Sequence, residues 1–168
     1  SGFIVGAAAA LIFKFTGTDR KLAHESDKRA TLYSQHPSFS KGMELLERKN
    51  RLGARECFEE AVRDEPGNGE ALSHLAALVE SPERSAHLAG DAVLALRKTG
   101  DGLAPRTVFI EHQKRHPNQP MSDRALFAVA ECFQTDAPRE AISVYELLLS
   151  LANPAADQLD RAGSDLTK

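Results

Sequence analysis

Residues 2–13 are apolar or small at every position, while after Thr16 apolar residues recur only at helical spacing. The first pattern has no polar face at all. The second is punctuated by Pro, Gly and Asn, and nowhere does it alternate apolar and polar residues as a half-buried strand would. The chain is therefore expected to be all-α. Residues 19–35 read as a charged helix or linker ended by Pro37, after which Ser38 or Ser40 can cap a new helix. Another helix begins over 70–76, and a degenerate one follows over about 82–98 with Ala89, Val93 and Leu96 facing inward. Residues 104–115 form a helix around Val108, Phe109 and Ile110. In the last pair, Leu126, Val129 and Ala130 stand on one helix and Ala141, Tyr145 and Leu148 on its partner, with Pro154 beyond. The polar stretch 155–168 reads as a flexible tail.

The uninterrupted apolar start is about fourteen residues long, or about 21 Å of helix at 1.5 Å each. A bilayer core of about 30 Å needs about twenty. The segment 1–16 is thus expected to be the end of a transmembrane helix that begins upstream. A signal-peptide core and a buried helix of a soluble domain are the rival readings. The first lacks a basic start and a clear cleavage site, and the second would show polar residues every few positions. Gly2, Gly6 and Ala10 recur at a four-residue spacing, which places three small residues on one helix face and lets membrane helices approach closely. Lys14, Arg20, Lys21, Lys28 and Arg29 follow at once. Positive charge beside a membrane end marks its cytoplasmic side, so residues after about 16 are expected in the cytoplasm, with 17–37 a basic linker or helix.

The run Ser1 to Leu11, with Gly2, Gly6 and Ala10 at its small positions, resembles the last core helix of rhomboid intramembrane serine proteases. That helix carries His-x-x-Gly-x-x-x-Gly-x-x-x-Ala. The resemblance covers the first fifteen residues or so and starts just after the family's histidine. It implies a multi-pass parent in the inner or plasma membrane, with these small residues packed against the helix that bears the nucleophilic serine. It also implies that the nucleophile and base lie outside this chain, so no residue here is assigned a catalytic role. Some bacterial members carry tetratricopeptide repeats beyond the membrane core.

A second resemblance lies in the soluble part. Ala54, Phe58, Ala61 and Pro66 reproduce Ala-x-x-x-Phe-x-x-Ala-x-x-x-x-Pro, which is similar to the second helix of a tetratricopeptide repeat. Gly42 falls at the small position of the first helix, although Ser38 stands where an aromatic is usual. The two alanines permit close helix contact, the ring fills the gap, and the proline ends the helix. Leu72, Leu75 and Ala76 continue the phase, and Ala141 and Tyr145 mark a later unit. Residues 38–154 are therefore expected to form a tetratricopeptide-like array of helical hairpins, with a plain helical bundle as the alternative. Such arrays bind protein or peptide ligands along a concave surface.

Charge and chemistry narrow the picture further. Net charge is −3 and the isoelectric point about 6.1, which argues against a general nucleic-acid binder. Cys57 and Cys132 each lie within an apolar helical pattern and read as reduced core residues. His112 and His116 share a helix face, but Lys114 and Arg115 beside them disfavour a cation, so they read as solvated histidines near a helix end. His74 and His87 read as surface or edge residues, and no metal site or cofactor is expected. Glu59, Glu60, Asp64 and Glu65 read as a solvated outer face, and Arg48, Lys49 and Arg51 as an exposed turn. Residues 100–102 (Gly-Asp-Gly) are a turn signal rather than a phosphate loop. Taken together, the sequence points to the C-terminal part of a rhomboid-like protease. Its partners would be the rest of the membrane core and a protein or peptide on the repeat surface. The alternative is a membrane-anchored or soluble scaffold without enzymatic activity.

Overall fold

The computed structural model describes residues 36–152. The expectations for 1–16, for 17–35, for Pro154 and for 155–168 lie outside the described residues. Seven helices follow one another: α1 (Pro37–Glu47), α2 (Arg51–Asp64), α3 (Gly69–Leu78), α4 (Pro82–Arg97), α5 (Leu103–Arg115), α6 (Asp123–Phe133) and α7 (Pro138–Ala152). The described residues contain no strand, so the fold class there is all-α. No helix among them is long and apolar enough to cross a membrane.

Each helix packs on the next, and α4 also packs on α6. The short connections keep consecutive helices paired. Asn50, Asn68, Ser81 and Ser122 cap α2, α3, α4 and α6, each side-chain oxygen accepting from a first-turn amide. The turn after α1 closes as a Schellman motif, with the Asn50 amide donating to the Leu45 carbonyl at 2.8 Å and Lys49 to Leu46 at 2.9 Å. Lys49 carries the left-handed residue of that motif, at φ 60°. Gly100 takes the left-handed conformation after α4, at φ 81°, and its amide donates to the Arg97 carbonyl at 3.1 Å.

The start of α1 differs from the sequence expectation. Pro37 opens the helix instead of preceding it, because the first helical position needs no amide. The cap is His36, neither Ser38 nor Ser40: its Nδ1 accepts from the Ser38 amide at 3.3 Å, and its Nε2 lies 3.2 Å from Asp64. His36 and Pro37 thus form the start of α1.

Two apolar clusters fill the interior. Phe39, Ala54, Phe58, Ala61, Ala71, Leu75 and Val79 form the first, between α1, α2 and α3. The larger second cluster joins α3 through α7 around Leu72, Val93, Leu96, Leu126, Val129 and Phe133. Val62 and Leu88 pack against both. Alanine is abundant at the helix contacts, where its short side chain lets the helices come close. At the start of α3 even alanine is too large: a methyl added to Gly69 would stand 2.6 Å from Leu96 Cγ and 3.1 Å from its amide nitrogen.

Candidate functional site

Gly42, Ala54, Phe58 and Ala61, expected from the sequence to pack helices together, meet around one ring. Phe58 is fully buried, as are Ala54 one turn before it and Ala61 one turn after it. Gly42 on α1 lies under the ring, and a methyl group there would stand 2.9 Å from Phe58 Cε1. Phe39 meets Phe58 edge-on at 5.6 Å between centroids, and His74 of α3 stacks on it at 5.1 Å with planes 13° apart. Pro66 is exposed in the turn between α2 and α3. In the last pair, Ala141 is buried against α6, while Tyr145 is half-buried and meets Phe127 edge-on at 5.9 Å. Gly2, Gly6 and Ala10 lie outside the described residues.

His74 is half-buried, an edge residue whose ring meets both Phe39 and Phe58. Burial lowers its pKa below the ordinary value, against the opposing pull of the Glu111 carboxylate. His112 corrects the sequence reading. Its side chain is fully buried, and Nε2 donates to the Gln119 carbonyl at 2.8 Å. Nδ1 faces Ser85 Oγ at 3.5 Å, and that hydroxyl donates to the Ala76 carbonyl at 2.9 Å. Arg115 Nη1 also donates to Ala76, at 3.1 Å. These contacts bind α3, α4, α5 and the loop before α6 into one network, and they satisfy a carbonyl that the end of α3 leaves open. Burial, first, and the nearby His116 and Arg115 charges hold His112 below its ordinary pKa, although its bond to Gln119 acts the other way.

A serine 3.5 Å from a histidine has the outline of a nucleophile and base. Here Ser85 is itself fully buried and its proton is committed to a backbone carbonyl, so the pair is architectural. His87, as the sequence reading has it, is exposed, and it pairs with Asp91 at 3.2 Å. Among the described residues, no group of three or more His, Cys, Asp or Glu is arranged to hold a metal ion. Cys57 and Cys132 are free thiols. Burial pushes the Cys132 thiol up, which leaves it protonated and unreactive at neutral pH.

The acidic run on α2 is largely engaged. Glu59 Oε1 accepts from Arg55 Nε and Arg84 Nη2, both at 3.1 Å, and so links α2 to α4. Glu60 accepts from Ser38 Oγ at 2.9 Å, and Asp64 faces His36. Exposed pairs of this kind contribute at most about 1 kcal/mol each. A second polar knot ties α5 to the end of α6. There Arg106 is buried, pairs with Asp136, and lies 5.0 Å over the Phe133 ring.

Sequence reasoning missed the roles of His36, Phe39, His74 and His112. The signal for His112 was present: it follows Val108 by four and Phe109 by three, on the face that both occupy. Nothing local in the sequence pointed to Arg106 or to the Ser85 contact, which join residues far apart in the chain. No protein-family model matches the chain, and no curated protein or solved structure matches it either.

Proposed function

We propose that the described helices are a tetratricopeptide-like interaction module that binds a protein or peptide. The observation that carries this reading is the seat of Phe58, above Gly42, flanked by Ala54 and Ala61, and stacked by a side chain of the next pair. Spacing supports it. Gly42 and Ala76 are thirty-four residues apart, the length of one such repeat. Ala76 and Val129 are fifty-three apart, and α5 with its linkers is the insertion that separates them.

In arrays of this kind the first helices of successive pairs carry the ligand. α3 has no exposed side chain, so the accessible part of that surface is Lys41, Glu44 and Glu47 on α1 and Arg124 and Phe127 on α6. Peptides selected from a random library against the full chain are expected to lose affinity about tenfold, or about 1.4 kcal/mol, with Lys41→Glu, Glu44→Lys or Phe127→Asp. Arg63→Glu on the exposed side of α2 should leave them unchanged. Failure to select any peptide, or mapping to α2, would overturn the reading.

The rhomboid-like protease proposed as the parent draws its support from the apolar run Ser1 to Leu11, with Gly2, Gly6 and Ala10 at its small positions. It leads to a direct expectation: the full chain should float with phospholipid vesicles, and Ile4→Asp with Leu11→Asp should release it, since a carboxylate in an apolar segment opposes its burial in lipid. Equal flotation of both forms, or of neither, would remove the membrane assignment and with it the proteolytic one.

A further inference from the structure

The turn between α1 and α2 and the end of α5 are both basic. The first carries Arg48, Lys49 and, opening α2, Arg51; the second carries Lys114 and Arg115. Residues 47–51 and 111–116 together hold these five cations against two glutamates, Glu47 and Glu111, in a chain whose net charge is −3. The fold brings the two segments to one place. Arg115 Nη1 donates to the Ala76 carbonyl at 3.1 Å, which sets the end of α5 against the end of α3, and Nε donates to the Glu111 carbonyl at 3.3 Å. The Arg51 charge is close enough to act on this guanidinium. Burial, first, and Arg51 hold Arg115 below its ordinary pKa, while Glu111 acts the other way.

Arg55, Arg84, Arg97 and Arg106 each pair with a carboxylate. Among the described residues, Arg48, Lys49 and Arg51 are exposed and form no ion pair, and Arg115 Nη2 has no hydrogen-bond partner. Beside Arg51 stands Leu52, 73% exposed and the most open large apolar side chain described. We infer that this patch binds an acidic peptide segment of a partner protein, whose carboxylates meet Arg51 and Arg115 and whose apolar side chain rests on Leu52. Two backbone carbonyls fix the Arg115 fork, and a fixed planar fork suits the two oxygens of a carboxylate. A carboxylate between the two arginines also relieves their mutual repulsion. The net negative charge of the chain works against an extended polyanion or an anionic bilayer, and favours a short acidic segment that meets this patch alone. The inference goes beyond the peptide surface on α1 and α6 and does not depend on it.

A short fluorescein-labelled peptide of Glu, Asp and Leu is the probe, and its anisotropy reports binding to the full chain. Affinity is expected to fall about tenfold with Arg51→Glu, the loss of a hydrogen bond to a charged group, and to weaken as salt is added. Leu52→Ser should weaken it about fivefold, and should have no effect on a peptide in which Ser replaces Leu. Arg139→Glu, the same change of charge at an exposed site on α7, should leave binding unchanged. All three positions are exposed or nearly so, and unchanged far-ultraviolet circular dichroism would show that the fold is kept. Absence of binding, or equal losses with Arg51→Glu and Arg139→Glu, would overturn the inference.

Vesicles of phosphatidylcholine with phosphatidylserine test the other occupant. Flotation reduced by Arg51→Glu, with no binding of the acidic peptide, would assign the patch to lipid and overturn the inference. Phe127→Ala separates this patch from the surface on α1 and α6 and should leave the acidic peptide bound. A peptide lost with Phe127→Ala and kept with Arg51→Glu would belong to that other surface, and would overturn the inference while leaving the interaction module standing. Loss of the peptides mapped to α1 and α6 would in turn leave this patch untouched, so the two ideas can fail separately.

Discussion

Phe58→Ala is expected to cost about 3–5 kcal/mol, the range for removing a fully buried aromatic ring. The ring is the common contact of three helices: Gly42 and Phe39 on α1, its own α2, and His74 on α3. Its removal empties the seat beneath Gly42 and leaves the imidazole stacked on nothing. Urea unfolding followed by circular dichroism would measure the loss. Phe127→Ala, at a ring half exposed in the described structure, is the control and should cost about 1 kcal/mol or less. A typical domain has about 5–15 kcal/mol to lose, so the first substitution places the α1–α2 pair near its limit. A loss at Phe58 no greater than at Phe127 would mean that the ring is not the centre of this packing.

The second large effect is acid sensitivity. Burial holds both His74 and His112 below their ordinary pKa. The unfolded chain takes up protons at these sites first as pH falls through about 6.5, while the folded chain resists them. Stability is therefore fully present above that pH and declines below it, until the folded pKa values are passed. Urea midpoints measured at about pH 7.5, 6.5 and 5.5 should fall in that order. His112→Ala should itself cost about 2–4 kcal/mol at neutral pH, through the cavity it leaves and the orphaned Gln119 carbonyl, and should flatten part of the acid slope. A slope unchanged by His112→Ala would mean that other groups govern the titration.

Local patterns were the legible part of this chain. The Pro, Gly and Asn punctuation located the start of α3 and both ends of α4 and α5 to within a residue, because caps and turns are set by near neighbours. The Ala54–Phe58–Ala61 face was legible for the same reason: residues four and three apart share one side of a helix. The burial of His112 was not legible. It looks polar in a list of residues, yet it lies on the face of Val108 and Phe109, and of the groups that meet its ring, Ser85 is far away in sequence and Gln119 lies beyond the end of the helix. His36 escaped notice as a cap because Ser38 and Ser40 are better side chains for that task in isolation, whereas Pro37 fixes where the helix must start. Helical phase showed α5 as a helix; that it packs between α4 and α6 depended on long-range contacts that periodicity does not encode.

The division of the interior into two clusters, with Val62 and Leu88 packing against both, has a consequence for motion. Regions of a protein open separately when few apolar contacts cross between them. The first cluster can thus loosen as a unit, with α1 and α2 drawing away from α3, while the larger cluster and its neighbouring hydroxyl–imidazole network stay shut. In such an event Phe58 and His74 would part first, and the interior between them would be wetted before the rest of the array loosens.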